Sequence, residues 1–188
     1  MTRPDASGRT LSHETRGRRM RRRAACALLT VLIALVASEP AAAQQKPQRF
    51  WIAAGLGGGT AHGGAGGLGV MGQMVYERAP HHFTLRGLAT MGEPGGSDAG
   101  YGEFGALYGR FAGGGFIHAG VAAGLSFVHL DRCGNSYDSC ATVGIPLATH
   151  VAITPFDVIG LGLQVYANMN PKAPYGGMFL TLPIGWMP

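Results

Sequence analysis

Strict alternation of aliphatic residues with small or polar residues is the feature that most constrains the fold of this chain. In the segment VIGLGLQVYANM, Val158–Met169, almost every second residue is aliphatic. Successive side chains of a β-strand point to opposite faces, so the alternation predicts a strand with one apolar face. The members of that apolar face are Ile159, Leu161, Leu163 and Val165. Whether this face points into a core or out of the molecule depends on the rest of the chain.

Seven further segments behave in the same way, which gives eight predicted strands. They are Arg49–Gly57, Gly69–Arg78, His82–Gly92, Gly100–Ala112, Phe116–Leu130, Ala141–Ile153, Phe156–Met169 and Gly177–Trp186. Each is about as long as the 9–11 residues that cross a bilayer at a tilt, or longer.

The connections between these strands alternate in length. The odd-numbered connections are long (GGTAHGGAGGL, EPGGSDA, DRCGNSYDSC and NPKAPYG), and the even-numbered ones are short (APH, GGG and TP). Bacterial outer-membrane barrels have an even number of strands, short periplasmic turns and longer extracellular loops. The pattern is therefore typical of an antiparallel up-and-down barrel with both termini in the periplasm.

The first 43 residues differ from the rest of the chain. An arginine-rich start precedes the apolar run Ala24–Ser38, and small residues follow it. This order predicts a secretory signal peptide, residues 1–43, cleaved after Ala43, with Met20 as an alternative start. An uncleaved anchor is the alternative interpretation, but the run is shorter than the roughly 20 residues of a spanning helix.

Charge is scarce in the predicted mature chain, residues 44–188. Its 145 residues hold seven Lys or Arg and seven Asp or Glu. That is about 10% charged, against roughly 25% in ordinary soluble domains. The resulting net charge of zero argues against a nucleic-acid-binding surface. No apolar run in these residues is long enough for a membrane-spanning helix. We therefore predict an all-β, eight-stranded transmembrane barrel in the outer membrane, with its aliphatic face against lipid.

The strand number, the loop pattern and the last strand, GMFLTLPIGW, resemble the small eight-stranded outer-membrane barrels of the OmpA and OmpX type. The resemblance covers nearly all of residues 44–188. It implies delivery to the outer membrane by the assembly machinery of that membrane, and loops that face the cell surface.

A barrel of eight strands has an interior only just wide enough for side chains. Glycine makes up 30 of the 145 predicted mature residues. Within the strands it falls mostly at the alternate positions that share a face with the polar residues. A turn at Ala79-Pro80 would place Gln73 opposite Arg86, so we predict a polar lumen cluster that fixes and fills the barrel. Its predicted members are Gln73, Glu77, Arg86 and Glu103. Because Glu103 and Arg110 fall on opposite faces, the register of the fourth strand stays open.

Two cysteines, Cys133 and Cys140, bracket GNSYDS in the third long connection. In an exported protein such an isolated pair predicts a disulfide. A metal site would need more ligands, and His129 is the only nearby candidate.

No residue pattern predicts an enzyme or a cofactor site. GAGGLG at residues 64–69 matches a dinucleotide fingerprint by letter but lacks the helix that the motif requires. His118 and Ser126 raise the alternative of an outer-membrane lipid hydrolase, but eight residues of strand separate them by about 26 Å. His81 and His82 are expected at an exposed turn. We expect no metal and no cofactor.

Aromatic residues near the strand ends predict belts at the membrane interface. The predicted belt members are Phe50, Trp51, Phe83, Phe111, Phe116, Phe156 and Trp186. The whole pattern favours a structural or surface-interaction role. A narrow channel or small-ligand carrier is one alternative. A soluble periplasmic barrel of the lipocalin type is another, and it requires the aliphatic face to point inward.

Overall fold

The computed structural model describes residues 48–61, 66–92, 100–114, 116–131, 139–156 and 158–186, except for the side chains of residues 113 and 114. Eight strands pair antiparallel with their sequence neighbours, and β8 closes against β1. The strands are β1 (Arg49–Ala61), β2 (Gly66–Arg78), β3 (His81–Thr90), β4 (Tyr101–Gly114), β5 (Ile117–Leu130), β6 (Cys140–Phe156), β7 (Ile159–Met169) and β8 (Tyr175–Gly185). The predicted all-β, eight-stranded antiparallel up-and-down barrel is confirmed. The predicted signal peptide lies outside the described residues.

The connections lie at the two ends of the barrel according to length. The short-turn end carries the two-residue connections 79–80, 115–116 and 157–158. The long-loop end carries the connections 62–65, 91–100, 131–139 and 170–174. Among the described residues there is no helix that is long and apolar enough to span a membrane.

The glycine-rich stretch 58–68 belongs mostly to strands β1 and β2, although the sequence predicted a long loop there. The β1–β2 ladder continues through Gly57 opposite Gly69 and Gly59 opposite Gly67. Gly66 and Gly67 have φ angles of 145° and 147°, which L side chains rarely adopt. Glycine therefore lets these two strands extend toward the long-loop end in a backbone conformation that other residues would resist.

The predicted turn at Thr154 and Pro155 is wrong. Strand β6 runs through both residues to Phe156, and the connection follows at 157–158. The β6–β7 register shifts between Ile153 and Phe156. A bulge is one of the few places in a sheet that accepts proline, because its missing N–H is not needed there. The proline thus marks an irregularity in the strand and not its end.

Two other prolines, Pro146 and Pro183, lie inside strands and point into the barrel. Pro146 is in register with Asn168 of β7, while the β5–β6 register is interrupted beside it. Pro183 is in register with Ala53 of β1, while the β7–β8 register is interrupted beside it. Each proline therefore sits where the ladder to one of its two neighbours is broken.

The register of β4, which the sequence left open, runs without a shift against both β3 and β5. Glu103 is 5% exposed and faces the interior. Arg110 lies seven residues further along the strand and faces outward at the short-turn end. A strand of this length simply carries one charge on each face.

The barrel has an apolar exterior, whereas its interior buries charged and polar side chains together with apolar ones. The predicted lipid-facing residues lie on the outside of β7, and their exposed fractions are 39–53%. These residues are Ile159, Leu161, Leu163 and Val165. Between them, Gly160, Gly162, Gln164 and Tyr166 are buried in the interior. This orientation contradicts the soluble lipocalin-type alternative, which needs the aliphatic residues inside.

Candidate functional site

A buried ion pair lies in the interior of the barrel, toward its long-loop end. Arg86 on β3 contacts Glu103 on β4 through Nη2 and Oε1, and both side chains are fully buried. The other carboxylate oxygen, Oε2, accepts hydrogen bonds from Asn168 Nδ2 at 2.9 Å and from the hydroxyl of Tyr175. Buried charges are stable only when they are paired and hydrogen-bonded. Three donors from three strands satisfy the carboxylate of Glu103 in this way.

Asn168 extends this arrangement across the lumen. Its Nδ2 also donates to Ser126 Oγ at 2.7 Å, and Ser126 Oγ lies 3.5 Å from the carbonyl oxygen of Gly144. A Cβ atom on Gly144 would lie 2.1 Å from Asn168 Oδ1, so only glycine leaves room for the amide. The Glu103 network consists of Arg86, Glu103, Ser126, Asn168 and Tyr175. It joins β3, β4, β5, β7 and β8.

Tyrosine rings close the interior around this network. The hydroxyls of Tyr101 and Tyr166 are 2.7 Å apart, and the rings of Tyr101 and Tyr175 lie 4.1 Å apart. The Arg86 guanidinium lies 5.5 Å from the centre of the Tyr166 ring, within cation–π range. That ring is important because Nε and Nη1 of Arg86 are buried without a hydrogen-bond partner in the protein. A Cβ on Gly59 would lie 2.4 and 2.5 Å from the two hydroxyls.

One long connection is tied to the network. Asn170 Nδ2 donates to Asn168 Oδ1 at 3.3 Å and to the carbonyl of Ala173 at 2.9 Å. Its Oδ1 accepts from the backbone N–H groups of Lys172 and Ala173 at 3.1 and 2.8 Å. The connection 170–174 is thereby held in a fixed turn next to the buried ion pair.

The four predicted members of the lumen cluster form two groups. Arg86 and Glu103 are in contact, and Gln73 is buried in register with Arg86, as the Ala79-Pro80 turn predicted. Glu77 is also buried, but it lines a cavity at the short-turn end. Alternation along a strand predicted the correct face for Glu77. Its level along the barrel axis places it apart from Glu103.

Rings fill the interior at the short-turn end. This histidine layer consists of Trp51, His82, Phe111, His118 and His150. The ring centres of His82 and Phe111 are 4.2 Å apart, and those of Phe111 and His150 are 4.7 Å apart. His118 Nε2 lies 3.1 Å from the hydroxyl of Thr154. Two imidazole nitrogens, His82 Nδ1 and His150 Nε2, are buried without a hydrogen-bond partner in the protein.

Several sequence predictions need correction in the histidine layer. His82 is 1% exposed and not at an exposed turn, and Trp51 is 5% exposed and not part of an outer belt. Phe111 packs against Trp51 at 6.4 Å. The inward position of His82 could have been predicted from the sequence. A turn at Ala79-Pro80 pairs His82 with Glu77, and Glu77 was already predicted to face the interior.

The cavity beside the histidine layer is too small for a substrate. Its lining includes Glu77, His118, His150 and Thr154, and about 10 Å³ is open to the centre of a water molecule. That is room for about one water. No group of three His, Cys, Asp or Glu residues in the described part of the chain could hold a metal ion. Ser126 and His118, the residues of the hydrolase alternative, have different partners and do not form a catalytic pair.

Of the two cysteines in the predicted disulfide, the structure describes Cys140. Cys140, the first residue of β6, is disulfide-bonded. Cys133 lies outside the described residues, so its pairing with Cys140 stays a prediction.

An outward aromatic row crosses four strands near the short-turn end. Its members are in register: Phe50 with Tyr76, Tyr76 with Phe83, and Phe83 with Tyr108. Their exposed fractions are 38–54%. The belt prediction included Phe50 and Phe83 but missed the two tyrosines, which lie on the same outward face. Phe116, Phe156 and Trp186 are also exposed at this end.

Comparison with known proteins reveals similarity in fold only. No family model matches the sequence, and no curated protein matches it. Neisserial surface protein A, NspA, is 15% identical with a TM-score of 0.56 over 74% of this chain and 97% of that one. Ail, the attachment invasion locus protein of Yersinia pestis, is 11% identical with a TM-score of 0.52 over 74% and 96%. The N-terminal β-barrel domain of Pseudomonas aeruginosa OprF is 8% identical with a TM-score of 0.54 over 73% and 100%. The chain has the fold of the small eight-stranded outer-membrane barrels, the OmpA and OmpX type that its sequence resembles.

Proposed function

We propose that this chain is an integral outer-membrane protein with a structural or surface-interaction role, exported through a signal peptide that is cleaved after Ala43. The reversed polarity of the barrel carries this proposal. Its exterior exposes large apolar side chains on every strand, among them Leu125 at 65% and Phe104 at 64%, while Arg86 and Glu103 are buried inside. Apolar surface of this extent marks a membrane-facing or partner-facing region.

The dimensions of the strands support insertion in a bilayer. They are 10–17 residues long, enough to cross the hydrocarbon region at the usual tilt. With the short-turn end in the periplasm, the long connections face the cell surface. Two of the similar structures are named as a surface protein and as an attachment invasion locus protein, which supports a surface-interaction role for these connections.

The interior supports a plugged lumen. The Glu103 network spans five strands, and the tyrosine rings pack around it. A narrow channel would need a continuous open path, but the network blocks the long-loop half of the interior and packed rings block the short-turn half. We therefore propose that the barrel does not conduct ions. Planar-bilayer recordings of the purified protein should show no conductance steps. Regular conductance steps would favour the channel alternative.

A charge placed on the outer wall tests membrane insertion directly. Leu163 lies near the middle of β7 and is 47% exposed. Leu163→Arg should destabilise a barrel in lipid by about 2–4 kcal/mol, whereas a surface substitution in water usually changes stability by about 0.5 kcal/mol or less. The measurement is urea unfolding in phospholipid bilayers, in which the heat-dependent gel shift reports the fraction of folded barrel.

Leu163→Met is the matched control, since it keeps the apolar surface. The membrane proposal fails if the chain fractionates with the soluble periplasmic extract and, after purification, shows no heat-dependent gel shift. Equal stability of the arginine and methionine variants in bilayers would also contradict it.

A further inference from the structure

The connection between β7 and β8 has an exposed tip and a buried base. Among the long connections, the structure describes every residue of 170–174. Lys172 is exposed, whereas Asn170 is 6% exposed and Ala173 packs against the buried apolar cluster of the interior. The base of this connection is therefore part of the packed interior, although its tip faces outward.

The side chain of Asn170 fixes the backbone of the connection. Its Nδ2 donates to the carbonyl of Ala173 at 2.9 Å, and its Oδ1 accepts from the backbone N–H groups of Lys172 and Ala173 at 3.1 and 2.8 Å. The reversed amide would set its oxygen against a carbonyl and its NH₂ group against two N–H donors, so only one orientation fits. In that orientation Nδ2 also donates to Asn168 Oδ1 at 3.3 Å.

The amide of Asn168 has a fixed orientation for a related reason. Its Nδ2 donates to Glu103 Oε2 at 2.9 Å and to Ser126 Oγ at 2.7 Å. The ionised carboxylate of Glu103, which is paired with Arg86, accepts hydrogen bonds but donates none. Asn168 must therefore direct Nδ2 toward the carboxylate, which leaves its Oδ1 as the acceptor for Asn170. One buried carboxylate thus sets the direction of every hydrogen bond up to the backbone of the connection.

We propose that the Glu103 carboxylate sets the conformation of the connection 170–174 through Asn168 and Asn170, which act as positioning residues. The buried ion pair is then a conformational device that links the interior to the long-loop end. Hydrogen bonds in such a chain reinforce one another in a low-dielectric interior. Coupling between two sites is reciprocal, so a molecule that binds the connection in this turn also stabilises the ion pair. Every contact in the chain lies within the barrel, so the inference does not depend on the membrane proposal.

Limited digestion of the folded full chain with trypsin in detergent micelles tests this proposal. Trypsin cuts after lysine, and the Lys172–Ala173 bond lies inside the fixed turn. When opening is faster than cleavage, the rate of this cut follows the population of the opened connection. Fragment masses identify the cut, and Lys172→Gln is the variant that lacks it. Asn170→Ala removes the contacts that hold the turn and should raise the rate by about tenfold or more.

The decisive variant changes the ion pair and leaves the connection itself intact. Arg86→Met with Glu103→Leu buries no unpaired charge and should keep most of the stability of the barrel. It should nevertheless raise the rate of the cut by about fivefold, because the amide of Asn168 loses its fixed orientation. Asn168→Ala breaks the same chain with the ion pair in place. It should also raise the rate by about fivefold, and it decides the question if the double variant does not fold.

Val75→Ala is the matched control for a general loss of stability. Val75 is 1% exposed and packs with Trp51 and Ala53 in the short-turn half, away from the chain of hydrogen bonds. This variant should lower the urea midpoint without raising the rate of the cut. The proposal is overturned if the folded double variant, or Asn168→Ala, is cut at the wild-type rate. It is also overturned if Val75→Ala is cut as fast as these variants.

Discussion

The two halves of the barrel interior are filled in different ways. Toward the long-loop end, a buried charge is compensated by hydrogen bonds from several strands, with Glu103 receiving Arg86, Asn168 and Tyr175. Toward the short-turn end, rings pack against each other, and two imidazole nitrogens are buried without hydrogen-bond partners in the protein. A buried charge requires a fixed set of partners, whereas packed rings require mainly the right volume.

The largest expected effect comes from breaking the ion pair. Glu103→Gln leaves the Arg86 charge buried without its carboxylate, which should destabilise the barrel by about 3–5 kcal/mol. The measurement is urea unfolding in bilayers. The double variant Arg86→Met with Glu103→Leu should recover most of the loss, because no unpaired charge remains. A loss below about 1 kcal/mol for Glu103→Gln would mean that the network does not hold the barrel together.

Crowding of the tyrosine layer should have the next largest effect. A methyl group on Gly59 would overlap the hydroxyls of Tyr101 and Tyr166, so Gly59→Ala should cost about 1–3 kcal/mol. Gly72→Ala is the matched control, because a Cβ there meets nothing within 4 Å. The two variants should differ in their urea midpoints. Equal midpoints would show that the tyrosine pair moves aside without cost.

Removal of one neutral hydrogen bond should have a smaller effect. Ser126→Ala deletes the acceptor of the second Asn168 bond and should cost about 1 kcal/mol. Thr142→Val removes an exposed hydroxyl on β6 and should change stability by about 0.5 kcal/mol or less. The same unfolding assay compares the two. An equal response would argue against a special role for Ser126 in the network.

The histidine layer should respond least. His82→Leu removes a buried Nδ1 that has no hydrogen-bond partner in the protein, so the change in stability should stay within about 1 kcal/mol or favour the variant. The comparison of the two halves depends on this result. A loss as large as that of Glu103→Gln would show that both halves are held by specific polar contacts.

The sequence predicted the faces of the strands better than the positions of residues along the barrel axis. Period-two alternation placed Arg86 and Leu163 on the correct faces, and the Ala79-Pro80 turn fixed Gln73 opposite Arg86, whereas the sequence left the face of Glu103 open. It could not separate Glu77 from Glu103. Their relative level depends on the stagger of strands around the closed barrel, which no single strand encodes.

The strand ends were harder to predict for a related reason. Glycine and proline usually mark turns, so Gly58, Gly59 and Pro155 were expected in connections. The structure places them inside β1 and β6, because extended glycines fit between crowded neighbours and a bulge accepts proline. His82 was missed because its proximity to a turn was given more weight than its inward parity.

Closure of the ladder between β1 and β8 has a consequence for chain order. Eleven pairs join these strands, from Trp51 opposite Gly185 to Ala61 opposite Tyr175. In space there is no first or last strand, and every strand has two partners. A circular permutant that links residue 186 to residue 48 and opens at one of the two-residue turns would keep every strand pair. The order in which the strands are synthesised is therefore separable from the ring that they form.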